Sequence, residues 1–202
     1  MPSDFDVYDD IDADRNYFSE LYPSLEGVNN SQYYDSISFK SLQTPISSKD
    51  LSVIHLNINS IGANGDKFLS FLASLDYKFD VICLTETYLK QGEKADYYFP
   101  NYKIFYSGRS NRSCGGVMIC IADQFDCELI SPLTLNLPHI ESVTVKISFQ
   151  NKKTLVSTIY RPPNSNFDLF HTFIENNFPV REHLTSDNII CGDFNLNLLN
   201  AH

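Results

Sequence analysis

The chain has 202 residues, 43% of them hydrophobic and 13% aromatic, which is enough to bury a sizeable core and too much for a chain disordered throughout. Its formal net charge is -10, and residues 1–50 carry most of it, with 10 acids against 3 bases, while residues 51–202 hold 15 against 12. That balance excludes a passive nucleic-acid coat, which works by neutralising phosphates with Lys and Arg, so any nucleic-acid role must rest on a local site.

The five cysteines (Cys83, Cys114, Cys120, Cys127, Cys191) are odd in number and lack Cys-x-x-Cys spacing, and two of them lie in apolar runs. Buried, reduced thiols are the expectation. The chain begins Met1-Pro2-Ser3-Asp4, without a basic n-region or apolar h-region, and has no 18-residue apolar run. These features predict an intracellular protein, nuclear or cytoplasmic, that is neither secreted nor membrane-bound. The Asn29-Asn30-Ser31 and Asn111-Arg112-Ser113 sequons then count as chance matches.

Residues 1–48 are rich in Asp, Ser, Asn and Tyr and show no sustained period of 2 or 3.6, which predicts a flexible acidic arm ahead of one domain at 49–202. Phe18, Leu21, Tyr22, Tyr33 and Tyr34 give the arm something to dock with, on an unknown partner or on the domain, although a disordered leader is the favoured reading. From Leu51 to Asn59, β-branched residues alternate with polar ones and then break at Ser60, Gly62 and Gly65, as a strand and loop do. Phe68, Phe71, Leu72 and Leu75 follow at helical spacing after a cap at Asn64 or Asp66. Asp80 to Glu86 is a second, nearly continuous apolar strand, and strand-helix-strand order implies helices covering a sheet.

A polar loop, Gln91 to Pro100, precedes a short strand at Tyr102–Ser107. Gly108 to Gly116 looks like an exposed turn carrying Arg109 and Arg112, which leads into Val117–Ile121. Phe125–Ser131, Ile140–Phe149 and Lys153–Tyr160 then form a β-rich meander, the last two strands joined by a tight polar turn at Gln150-Asn151-Lys152. Tyr160-Arg161-Pro162-Pro163 must leave the sheet, because proline lacks the ladder donor. Ser165 with Asp168 has capping-box spacing and opens a helix with Phe167, Phe170, Phe173 and Ile174 on one face. The last strand, Ile189-Ile190-Cys191-Gly192, delivers Asp193 and Asn195, which point to one side if the backbone stays extended. The plain alternative there is an ordinary Asx turn.

Four strand ends therefore present polar groups: Asn57, Glu86, Tyr160, and Asp193 with Asn195. In α/β sheets, ligands collect beyond the carboxyl ends of strands. Taken singly, each has a plain structural explanation. Their joint arrangement points to a site.

Leu56-Asn57-Ile58-Asn59-Ser60, Leu84-Thr85-Glu86-Thr87, Gly115-Gly116-Val117, Tyr160-Arg161-Pro162-Pro163 and Gly192-Asp193-Phe194-Asn195 resemble, in order, the motifs of the endonuclease/exonuclease/phosphatase superfamily. Within it they are most similar to the endonuclease domain of non-LTR (LINE-type, jockey-like) retrotransposons, over about residues 51–200. The resemblance implies a deoxyribonuclease I-like α/β fold, a four-layer α/β/β/α sandwich, here incomplete at the C-terminus. It implies DNA as partner and Mg2+ (or Mn2+) as the only cofactor, with Glu86 ligating the metal and Asn57 helping to hold metal and phosphate. Asp193 would orient or deprotonate the attacking water, Asn195 would bond a phosphate oxygen, and Tyr160 would steady the developing charge. The implied product is a nick with a 3′-hydroxyl that primes reverse transcription. Arg109 and Arg112 are candidates for DNA phosphate contacts, and none of the histidines receives a catalytic role.

The family pattern closes with a Ser-Asp-His motif and an earlier aspartate, and no Asp follows Asp193 in this sequence. A truncated domain with part of the catalytic set missing is therefore expected. Two other readings stay open: an inactive remnant that serves as a binding module, and a phosphomonoesterase of the same fold.

Overall fold

The computed structural model describes residues 35–41, 50–93, 99–109, 114–178 and 186–195. Arg112 and the arm residues Phe18, Leu21, Tyr22, Tyr33 and Tyr34 lie outside them. The described helices are α1 (Ser36–Ser41), α2 (Ile61–Leu75) and α3 (Phe167–Asn177). The strands are β1 (Val53–Asn57), β2 (Val81–Thr85), β3 (Tyr102–Ser107), β4 (Val117–Ala122), β5 (Asp126–Leu129), β6 (Leu135–Leu137), β7 (Ile140–Phe149), β8 (Lys152–Tyr160) and β9 (Ser186–Asp193).

Two sheets result. The first runs β1-β2-β4-β3, and the second runs β5-β7-β8-β9 with β6 also on β7. Alternation along the strands divides the apolar residues among three separate cores. Val81, Cys83, Ile119 and Ile121 meet Val143, Val145, Ile147 and Val156 between the sheets. Ile82, Leu84, Met118 and Cys120 face the other way, onto Phe68 and Leu75 of α2. Ile140 and Ile159 pack on Phe170 of α3. Three cores between four layers make an α/β/β/α sandwich, because a strand buried on both faces needs cover on both.

Within each sheet, one parallel pair decides where chain ends gather. β1 pairs parallel to β2, and β8 pairs parallel to β9. The carboxyl ends of each pair thus lie side by side, with Asn57 opposite Thr85 and Tyr160 opposite Asp193. Both β1 and β9 stand at the end of their sheet, and neither has a second strand partner among the described residues.

Several local expectations are refined. The β7–β8 hairpin closes on Gln150 and Asn151, both at positive φ (50° and 64°), as a two-residue type I′ turn requires. Helix α2 begins at Ile61 with Ser60 as its cap, not at Asn64 or Asp66, the Ser60 hydroxyl accepting from the Ala63 N–H at 3.3 Å. Its buried stripe is therefore Ile61, Gly65, Phe68 and Leu75, and Phe71 is 46% exposed. Helix α3 is capped by Asn166 in place of Ser165, with Asp168 in its first turn. Within residues 1–48, α1 packs Phe39 on Tyr77 and Phe79 at ring distances of 5.9 and 6.1 Å, so this part of the arm rests on the domain.

Gly192 is a residue of strand β9. It lies opposite Ile159, and a Cβ built on it falls 1.9 Å from the Ile159 carbonyl oxygen. Gly192→Ala is expected to force β9 off β8 and to lower the unfolding free energy by about 3 kcal/mol or more, read as a lower urea midpoint.

Candidate active site

The carboxyl ends of the two parallel pairs meet at one end of the sandwich and bring together residues far apart in sequence. Asn57, the last residue of β1, places its Nδ2 between two carboxylates, donating to Glu86 Oε1 at 3.0 Å and to Asp193 Oδ2 at 2.9 Å. Tyr160, the last residue of β8, is 5% exposed and its hydroxyl faces Glu86. Burial pushes this phenol up to about 12, and the neighbouring Glu86 charge adds to the shift. Tyr160 thus stays protonated at neutral pH, a neutral donor beside two acids.

The site is held in backbone conformations that ordinary residues avoid. Asn59, Ser60, Glu86, Tyr88 and Asn195 all have positive φ, between 44° and 80°. Such conformations persist only where the surroundings over-determine them. Here a ladder of main-chain bonds does so. Ile58, Ser60 and Ile61 donate to the carbonyls of Thr85, Glu86 and Thr87 at 2.8 to 3.0 Å. Thr87 and Tyr88 donate in turn to Gly116 and Gly115 at 3.2 and 2.8 Å. Gly116, at φ 88°, cannot carry a side chain here, because a Cβ would lie 2.6 Å from the Thr87 hydroxyl.

Asn195 departs from the expected geometry. The strand ends at Asp193 and Asn195 turns to φ 47°, so alternation no longer sets its direction. Its main-chain N–H donates to Asp193 Oδ1 at 3.2 Å, an Asx turn, and its side-chain amide donates to the Arg161 carbonyl at 2.8 Å. The Asx turn and the site coexist, because Asp193 uses one carboxylate oxygen for each.

Arg109 is not the exposed loop arginine that the sequence suggested. It is 7% exposed and ion-paired with Glu141, itself fully buried, so it points into the protein. A guanidinium so enclosed does not reach a DNA phosphate. Conversely, Tyr88 carried no signal of its own, yet its hydroxyl shares its single hydrogen between Asn59 Oδ1 at 2.7 Å and Glu86 Oε2 at 3.3 Å. Each Glu86 oxygen therefore has its own donor. His55, two residues before Asn57 on β1, lies 3.5 Å from the Thr85 hydroxyl through Nε2. Burial lowers its pKa, partly opposed by the Asp193 charge.

The donor set is two carboxylates with amide and phenol groups around them, all hard oxygen or nitrogen chemistry. Among the described residues, no group of three or more His, Cys, Asp and Glu side chains is placed to hold a metal. Mg2+ is bound through one or two carboxylates and keeps its waters, so the residues present fit a hard divalent cation.

An acid-amide cluster thus sits at the carboxyl ends of paired strands in an α/β/β/α sandwich. Residues 54–200 match the Endonuclease/Exonuclease/phosphatase family, and the chain belongs to it. Its fold is similar to the endonuclease domain of TRAS1, a telomere-specific non-LTR retrotransposon, with TM-score 0.54 and 16% identity, covering 73% of this chain and 60% of that one. It is also similar to a humanized D. rerio TDP2 with TM-score 0.51 and 19% identity, over 73% and 63% of the two chains. The chain thus spans less than two thirds of the length of these structures. No curated protein matches it in sequence.

Proposed function

We propose that this chain is the divalent-metal-dependent endonuclease domain of a non-LTR retrotransposon, which hydrolyses one phosphodiester of target DNA and leaves a 3′-hydroxyl primer. One observation carries the proposal: a single amide nitrogen, Asn57 Nδ2, lies within 3.0 Å of both Glu86 and Asp193, so two acids 107 positions apart share one small volume. Structural carboxylates at unrelated strand ends have no reason to converge in this way.

Glu86, with Asn57 beside it, would hold Mg2+ or Mn2+. When bound, the cation supplies positive charge where in-line attack builds negative charge on nonbridging and leaving oxygens. Asp193 accepts a proton from the attacking water, its Oδ1 already fixed by the Asn195 N–H. Tyr160 and Asn195 donate to phosphate oxygens without competing for the cation. The Asn195 amide carries two hydrogens, of which the Arg161 carbonyl takes one. The substrate partner is DNA, and the protein acts inside the cell, in the nucleus or the cytoplasm. No described helix is long and apolar enough to cross a membrane.

The test is conversion of supercoiled plasmid to nicked circles in Mg2+ and in excess chelator. Nicks that appear with Mg2+, vanish with chelator and can be extended by a polymerase support the proposal. If neither this chain nor one lengthened through a Ser-Asp-His motif nicks DNA, it fails. Release of phosphate from a monoester without nicking would transfer the site to phosphatase chemistry.

A further inference from the structure

Arg161 follows Tyr160 directly, is 7% exposed, and commits four of its five guanidinium N–H groups to partners inside the protein. Nε donates to the Phe194 carbonyl at 2.7 Å and Nη2 donates to the Asn195 carbonyl. Nη1 donates to the Ser165 carbonyl at 2.8 Å and to its hydroxyl at 3.3 Å. The main chain of Arg161 adds two more bonds: its N–H donates to the Asp193 carbonyl at 3.0 Å, and its carbonyl accepts from the Asn195 side chain at 2.8 Å. Asp193, Phe194 and Asn195 are thus all bound by one residue.

That segment needs holding. The β8–β9 ladder ends at Tyr160 and Asp193, and two residues later the chain sits at a positive φ. Beyond the ladder, the Phe194 ring rests on Phe170 at 5.7 Å and the Asn195 N–H reaches back to Asp193. A planar guanidinium can bind two neighbouring carbonyls and anchor to a third at fixed angles, which an ammonium on a flexible stem cannot do. Pro162 and Pro163, with φ preset, stiffen the base from which the side chain reaches.

We propose that Arg161 is a positioning residue, whose guanidinium clamps the Phe194 and Asn195 carbonyls to Ser165 and so fixes the Asp193 carboxylate against Asn57. It touches neither substrate nor cation and acts through Asp193. The inference rests on the reading of Asp193 as the water-orienting acid.

The test compares the full chain with Arg161→Lys by NMR, unfolding and plasmid nicking in Mg2+. The lysine variant keeps a folded spectrum, but its Asn195 side-chain amide and Asp193 carboxyl 13C signals move and the amide protons exchange faster. Its kcat for nicking falls about 10- to 100-fold, as for removal of a partner that orients a catalytic ligand, with KM changed by less than about twofold. In Arg161→Ala, millimolar guanidinium restores part of the lost kcat. Unmoved Asp193 and Asn195 signals in folded Arg161→Lys, or a loss confined to KM, overturn the proposal. Should the lysine variant unfold, Ser165→Ala removes only the hydroxyl contact and must move the same signals less far in the same direction; no movement there is also a refutation. If neither the wild-type chain nor its lengthened form nicks, the functional reading fails while the NMR comparison still decides the clamp.

Discussion

Replacing Glu141 by alanine should lower the unfolding free energy by about 3 to 5 kcal/mol, the range for removing one partner of a buried ion pair. Glu141 is fully buried on β7, where it binds Arg109 through Oε1 and the Gly116 N–H through Oε2. Truncation leaves a 7% exposed guanidinium without its counter-charge and a buried main-chain donor without its acceptor. Denaturant titration reads the effect as a fall in midpoint at nearly constant slope. The double variant Arg109→Met, Glu141→Leu should regain much of the loss, since apolar replacement of both partners removes the desolvation cost along with the pair. If Glu141→Ala unfolds at the wild-type midpoint, the pair is not the support described above.

The second large effect concerns chemistry. Glu86→Gln keeps the size and hydrogen-bonding reach of the side chain and removes only its charge, so the nicking rate in Mg2+ should fall on the order of 100- to 1,000-fold, equivalent to about 3 to 4 kcal/mol of transition-state stabilisation. Its unfolding midpoint should stay near that of the wild type, because Asn57 and Tyr88 can still bond the amide side chain. A loss of activity that tracks a loss of folded protein would point to structure in place of chemistry. Equal nicking by wild type and variant would remove Glu86 from the metal site.

These two acids divide the labour of the site. Glu141 never meets solvent, yet it fixes Gly116, whose carbonyl accepts from Thr87, the residue after Glu86. The Gly115-Gly116 pair thus transmits order from a buried ion pair to a strained site residue. A Cβ at Gly115 would lie 2.6 Å from the Arg109 guanidinium carbon, so the close approach requires glycine there as well.

The sequence by itself determined most of the strands and the polar groups at their carboxyl ends. Alternation and apolar runs located β1, β2, β4, β7, β8 and β9, since burial on a pleated sheet leaves a period of two in the chain. It also marked Asn57, Glu86, Tyr160 and Asp193 as polar groups that terminate strands. It did not reveal the three-residue β6 or the earlier start of α2, because a few residues carry too little periodicity to place a boundary. What only the tertiary structure decided is which way polar side chains turn once the regular backbone stops. Asn195 leaves the extended region and serves Arg161, Tyr88 swings to Glu86, and Arg109 is drawn inward by an acid 32 positions away. The reason is that local sequence sets backbone periodicity, whereas the direction of a side chain beyond a strand end is set by whichever charge or carbonyl the packed sheets bring within 3 Å. That partner comes from a distant part of the chain.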